Sequence, residues 1–157
     1  MKKPLIIGLG NQYRSDDAVG LEVASLLKKN FDEIADVVIY QGNPLDLLEI
    51  WTGRDCVFII DAVSSGEQEV GFVYRFLPHE EEIPAVFSRA STHLIDVVQV
   101  IELGKTLGNC PKQLFVYGIE ASQFALEQSI SQKLNNKVPD ILKTIEKDIR
   151  TYFTKSF

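Results

Sequence analysis

Residues 4–20 read PLIIGLGNQYRSDDAVG. The opening run is apolar and rich in branched side chains, the pattern of a strand buried on both faces of a parallel sheet. Two glycines and an asparagine break it. Val19, Val23, Leu26 and Leu27 then share one helical face. A strand, a tight glycine turn and a helix form the first half of a strand–helix–strand unit, which predicts an α/β fold.

Further apolar runs at residues 36–41, 55–61, 70–77 and 112–119 are short and rich in Val, Ile, Phe and Tyr, and they read as strands. Helical spacing appears at Leu94, Val97, Val98 and Ile101. It returns more strongly at Leu134, Val138, Ile141, Leu142, Ile145, Ile149 and Phe153. Pro139 predicts a kink in that last helix or a break before its main part, and Pro44 suits the first turn of a short helix. Only residues 62–69 separate the third strand from the fourth. A parallel crossover needs about a dozen residues or more, so residues 70–77 are expected to run antiparallel at an edge. The expected architecture is a three-layer sandwich: a doubly wound, mostly parallel five-stranded sheet with one antiparallel strand and helices on both faces. No repeat, linker or low-complexity tract divides the sequence, so residues 1–157 are expected to form a single domain.

The net charge of -6 argues against nucleic acid, which is bound through clustered Lys and Arg. No stretch approaches the ~20 apolar residues of a membrane span. The apolar run behind Lys2 and Lys3 is too short for a secretion signal, so we expect a cytoplasmic protein. The two cysteines, Cys56 and Cys110, have neither metal-site nor disulfide spacing, and Cys56 reads as a small buried hydrophobe.

In open α/β sheets, ligands bind outside the carboxyl ends of the parallel strands. That edge receives Asp16 and Asp17 after the first strand, Gly42-Asn43-Pro44 after the second, Asp61 at the end of the third and Glu120 at the end of the fifth. His93 opens a helix after a loop long enough to return to the same edge. The glycine turn resembles a phosphate cradle, but it lacks the third glycine of G-x-G-x-x-G, and two aspartates would repel a phosphate there. One of them suffices as a helix cap; we assign the cap to Asp16 and let Asp17 project. Asp17, Asp61 and His93 together would form an O/O/N set suited to a divalent transition metal. Glu120 reads as a peripheral ion pair or cap, and His79 as a residue of a solvated charged loop.

The segments GLGNQYRSDDAVG, QGNPLDLL, FIIDAV, STHLID and VYGIEA, in this order over residues 4–121, resemble the hydrogenase maturation proteases. These clip a C-terminal peptide from the large-subunit precursor of nickel-iron hydrogenases. The resemblance implies that Asp17, Asp61 and His93 are the catalytic and metal-binding residues, that they recognise nickel already inserted in the precursor, and that no organic cofactor is needed. The same ligands would also serve a non-catalytic nickel-binding chaperone or accessory module. Water activation stays open between the metal and an acid among Asp16, Asp17 and Asp61. Two departures stand out: Gly42-Asn43-Pro44 replaces a Gly-Gly-Thr type loop, and GIEASQF lacks a proline after the glutamate. Peptidyl-tRNA hydrolases share the GLGN start, but their following loop carries a catalytic histidine, and RSDDAVG has none.

Overall fold

The computed structural model describes residues 2–85 and 93–156, with the side chains of residues 93–95 and 156 outside that description. Strands β1 (Leu5–Leu9), β2 (Asp36–Tyr40), β3 (Cys56–Val63), β4 (Val73–Phe76) and β5 (Gln113–Glu120) form a sheet in the order β2-β1-β3-β5-β4. β1 pairs in parallel with β2 and β3, and β3 in parallel with β5. β4 runs antiparallel on β5 at the edge, as expected from the short connection between the third and fourth strands.

β4 is shorter than residues 70–77. Gly71 turns the chain at a positive φ of 95° before the ladder begins, and the Leu77 N–H donates to the Glu81 carboxylate instead of continuing it. β3 is longer than its apolar run. It continues two residues past Asp61, because Ala62 and Val63 still pair with Ile119 and Glu120 of β5.

Helices cover both faces. On one, α1 (Val19–Phe31) and α5 (Val138–Ser156) bury Val19, Val23, Leu27, Ile141, Ile145 and Ile149 against Ile6, Phe58 and Ile60. On the other, α2 (Leu47–Ile50) and α3 (His93–Leu107) bury Leu47, Trp51, Val97 and Ile101 against Leu5, Ile7, Val57 and Ile59. Odd and even residues of β1 and β3 thus serve different cores, which follows from the two-residue repeat of a strand. The short helix α4 (Gln132–Asn135) ends two residues before α5, whose first turn holds Pro139. The proline therefore marks a break rather than a kink.

Tyr117 of β5 is buried and donates to Asp148 Oδ2 of α5 at 3.0 Å, and Arg75 Nε of β4 lies 3.1 Å from the same oxygen. Burial, followed by the Asp148 charge, raises the phenol above its ordinary range. Burial likewise pushes the Cys56 thiol up to about 12, in keeping with a structural cysteine. No helix of the described residues is long and apolar enough to cross a membrane.

The start of α1 touches the sheet without an intervening side chain. A Cβ on Gly20 would lie 2.4 Å from the Leu9 carbonyl oxygen and 2.6 Å from that of Ile60. Both obstacles are backbone, so Gly20→Ala must push the helix outward. We expect it to lower unfolding stability in urea by about 1–3 kcal/mol, although alanine is the better helix former by about 1 kcal/mol. Unchanged or higher stability would show that this contact is not as tight as described.

Candidate functional site

The chain leaves β1 towards β2 on one side and returns to β3 on the other, so the switch point of the sheet lies between the carboxyl ends of β1 and β3. β1 stops pairing with β3 at Gly8–Ile60, and the next residue of β3 is Asp61. Gly10 turns the chain away from β1 at φ 149°, and a Cβ there would lie 2.0 Å from the Asp17 carbonyl oxygen. Only glycine fits both demands. The tight passage lays a short 3-10 turn, Ser15–Ala18, over the gap that β1 vacates. Asp17 lies in that turn and is 2% exposed, and Asp61 is fully buried.

Asp61 is inside β3 rather than at its end. Strand alternation sets it on the face of Val57, Ile59 and Val63, which α2 and α3 cover. Its Oδ1 accepts the Ala62 N–H at 2.8 Å, while Oδ2 is buried and has no hydrogen-bond partner among the described residues. Burial, and then the negative charge of Asp17, raise the Asp61 carboxyl well above the usual carboxylate range. A buried carboxylate facing a second acid is stabilised by a proton or by a cation, so the donor chemistry fits a divalent metal. Among the described residues no cluster of three or more His, Cys, Asp or Glu has formed. Asp17 and Asp61 are a pair. Helix α3, on the face that Asp61 points to, begins at His93, whose side chain lies outside the described residues.

Two edge residues behave differently from the sequence expectation. Asp16 does not cap a helix: neither the 3-10 turn nor α1 has a side-chain cap bond. Its carboxylate accepts the N–H groups of Ser122 (3.2 Å), Gln123 (3.1 Å) and Ser131 (2.8 Å). The acid is drawn into the segment after β5, because Ser15 stands at φ 51° and turns the chain out of helical geometry just before it. Among the described residues Glu120 forms neither an ion pair nor a helix cap. Buried at the end of β5, it accepts the Ser65 N–H at 2.9 Å, the Ser65 hydroxyl, and the Tyr74 hydroxyl at 3.3 Å, and so pins the β3–β4 connection. His79 is exposed on the connection after β4, where its Nε2 lies 2.6 Å from the Pro111 carbonyl oxygen.

After β2, the Asn43 side chain accepts the Leu45 N–H, and Pro44 opens a single 3-10 turn, Pro44–Asp46. A cleft of about 50 Å³ lies among Gly10, Asn11, Tyr40, Gln41, Gly42 and Pro44. Pro44 also borders a depression of about 450 Å³ floored by Leu45, Asp96, Val100 and Leu103 of the α3 side. The exit loops of β1 and β2 are joined by the Gln12 N–H, which donates to Gln41 Oε1 at 2.8 Å. The cleft and the depression share Pro44 as a lining residue.

A family model described as "Hydrogenase maturation protease" matches residues 7–148. The chain belongs to this family. It is 28% identical over 118 residues to the hydrogenase 2 maturation protease of Escherichia coli K12, a match covering 73% of this chain and 71% of that protein. The E. coli hydrogenase maturating endopeptidase HybD superposes with a TM-score of 0.80 at 20% identity, covering 96% of this chain and 93% of that one. HycI from Thermococcus kodakarensis superposes at 0.70 and 22% identity, covering 92% and 90%. At such identities the solved structures speak for the fold, which this family member shares.

The sequence of this maturation protease homologue carries no sign of the bonds from Asp16 to residues 122, 123 and 131, since they join segments more than 100 residues apart. Its buried acid pair does lead to a measurable pH effect. An unfolded aspartate loses its proton near pH 4, whereas the folded Asp61 keeps it to higher pH. Within that window the unfolded chain binds fewer protons than the folded one, so this residue lowers stability as pH rises. In chelator-treated buffer, Asp61→Asn is expected to match the parent Tm near pH 4 and exceed it at pH 7. Equal Tm values at pH 7 would mean that the Asp61 charge is not desolvated.

Proposed function

We propose that the protein is an endopeptidase that removes a C-terminal peptide from the nickel-loaded precursor of a nickel-iron hydrogenase large subunit. Asp17, Asp61 and His93 recognise the nickel, which arrives with the substrate. The observation that carries this reading is the buried Oδ2 of Asp61, which has no hydrogen-bond partner among the described residues and is held at the switch point within the field of Asp17. A fold would not retain such an atom for stability, and a cation is the partner its charge calls for.

Two carboxylate oxygens and one imidazole nitrogen suit a borderline divalent ion and leave coordination positions for groups already on the precursor. The nickel acts as an address: its capture aligns the chain that follows it along the edge between the β1 and β2 exit loops. Peptide hydrolysis then adds water across one amide bond, the hydroxyl going to the new carboxylate and the proton to the new amine. Asp16 is the least suited of the three acids to serve as the base, because both of its oxygens already accept backbone N–H groups.

The test mixes the protein with nickel-loaded and with nickel-free precursor and weighs the products by intact mass spectrometry. A shortened large subunit is expected from the loaded precursor alone. Asp17→Ala, Asp61→Ala and His93→Ala are each expected to reduce cleavage by about 100-fold or more with unchanged circular dichroism. A chaperone using the same ligands would bind loaded precursor and leave its mass unaltered, and that result would overturn the protease reading. Full cleavage by any one variant would remove that residue from the site.

A further inference from the structure

We propose that Asp16 is a positioning residue: its carboxylate locks the segment after β5 onto the turn that carries Asp17, and turnover depends on that lock. The inference rests on the protease reading and adds a residue that touches neither substrate nor metal.

The two acids of the site are held by different means. Asp61 stands in β3, paired to β5 over eight residues. Asp17 stands in a four-residue 3-10 turn, whose own bonds are local: its N–H donates to the Arg14 carbonyl and its carbonyl accepts the Asn11 N–H. What anchors that turn at long range is residues 122–131. The Asp16 N–H donates to the Gln123 carbonyl at 2.9 Å and the Ser15 N–H to the Gln128 carbonyl at 2.8 Å. The Glu127 N–H donates to the Tyr13 carbonyl at 2.7 Å. The Ser15 hydroxyl donates to the Ser129 carbonyl at 2.9 Å and Arg14 Nε to the Phe124 carbonyl at 3.3 Å.

Asp16 closes this framework from the inside. It is fully buried, and it gathers N–H groups from both ends of the segment, 122–123 and 131, onto one carboxylate. The loop is thereby drawn into a ring around it. Ser15 and Glu127, on the two facing segments, stand at φ 51° and 61°. Non-glycine residues hold such angles where surrounding bonds over-determine them. Without the carboxylate, three N–H groups lose their acceptor, the ring opens, and the Asp17 turn is free to shift against the rigid β3. A displacement of about 1 Å at a reacting centre is enough to reduce turnover by about 100-fold.

The experiment compares Asp16→Ala and Asp16→Asn with a stability control in the distant core, Ile149→Val of α5. All are assayed on nickel-loaded precursor at a temperature where circular dichroism shows each variant folded. Asp16→Ala is expected to lose about 100-fold in kcat with KM within about threefold. Asp16→Asn, which keeps one acceptor oxygen, should retain about tenfold more activity than the alanine variant. Hydrogen exchange should show lost protection at Ser122, Gln123 and Ser131 in both. Ile149→Val should keep the parental kcat.

A kcat within threefold of the parent in Asp16→Ala, or an equal kcat loss in Ile149→Val, overturns the inference. If Asp16→Ala does not fold, Asp16→Asn decides alone, and parental kcat there overturns it. Failure of the unmodified protein to cut loaded precursor is a separate result: it removes the protease reading, and this inference with it.

Discussion

Backbone meets backbone where the first turn of α1 crosses the ends of β1 and β3. A side chain on Gly20 would collide with carbonyl oxygens of both strands, and one on Gly8 would meet Ala24 and the Gly20 carbonyl. This close approach sets the height of α1 over the sheet. The preceding turn, with its two acids, is carried to the same height, and the bonds from residues 122–131 hold it there. Close packing makes such a contact stiff, because neither a strand nor a helix can yield by a fraction of an ångström without moving its neighbours.

Onto that frame the fold adds an unfavourable electrostatic arrangement. Asp61 is buried within the field of Asp17, and one of its oxygens lacks a hydrogen-bond partner among the described residues. Such a pair lowers stability at neutral pH, and the two hydrophobic cores on either face of the sheet offset it. A protein adapted only for stability would place an asparagine or an alanine there. The retained acid is intelligible if a cation visits the site.

Asp16 and Glu120 illustrate the opposite use of a buried carboxylate. Each is satisfied by N–H or hydroxyl donors from a neighbouring loop, and each fastens a connection at the carboxyl edge: residues 122–131 in one case, Ser65 in the other. Loops at such an edge are mobile by default, since few of their backbone groups pair with the sheet. Anchoring them through acids already inside the fold gives the edge a defined wall on either side of the Asp17–Asp61 pair.

The alternation of apolar runs with helical spacing was enough to name the α/β class. The eight residues, 62–69, between the third and fourth apolar runs were enough to make β4 antiparallel, because both follow from local geometry and chain length. The edge rule likewise places Asp17 and Asp61 at one edge of the sheet, and the ordered motifs resemble the family. Tertiary structure alone decided the rest. Asp61 lies inside its strand because β5, more than fifty residues later, goes on pairing with β3. Asp16 is a loop anchor rather than a cap because its three donors come from residues 122–131. Local sequence determines which backbone shapes are cheap, whereas the partner of a buried polar atom depends on what distant chain arrives beside it.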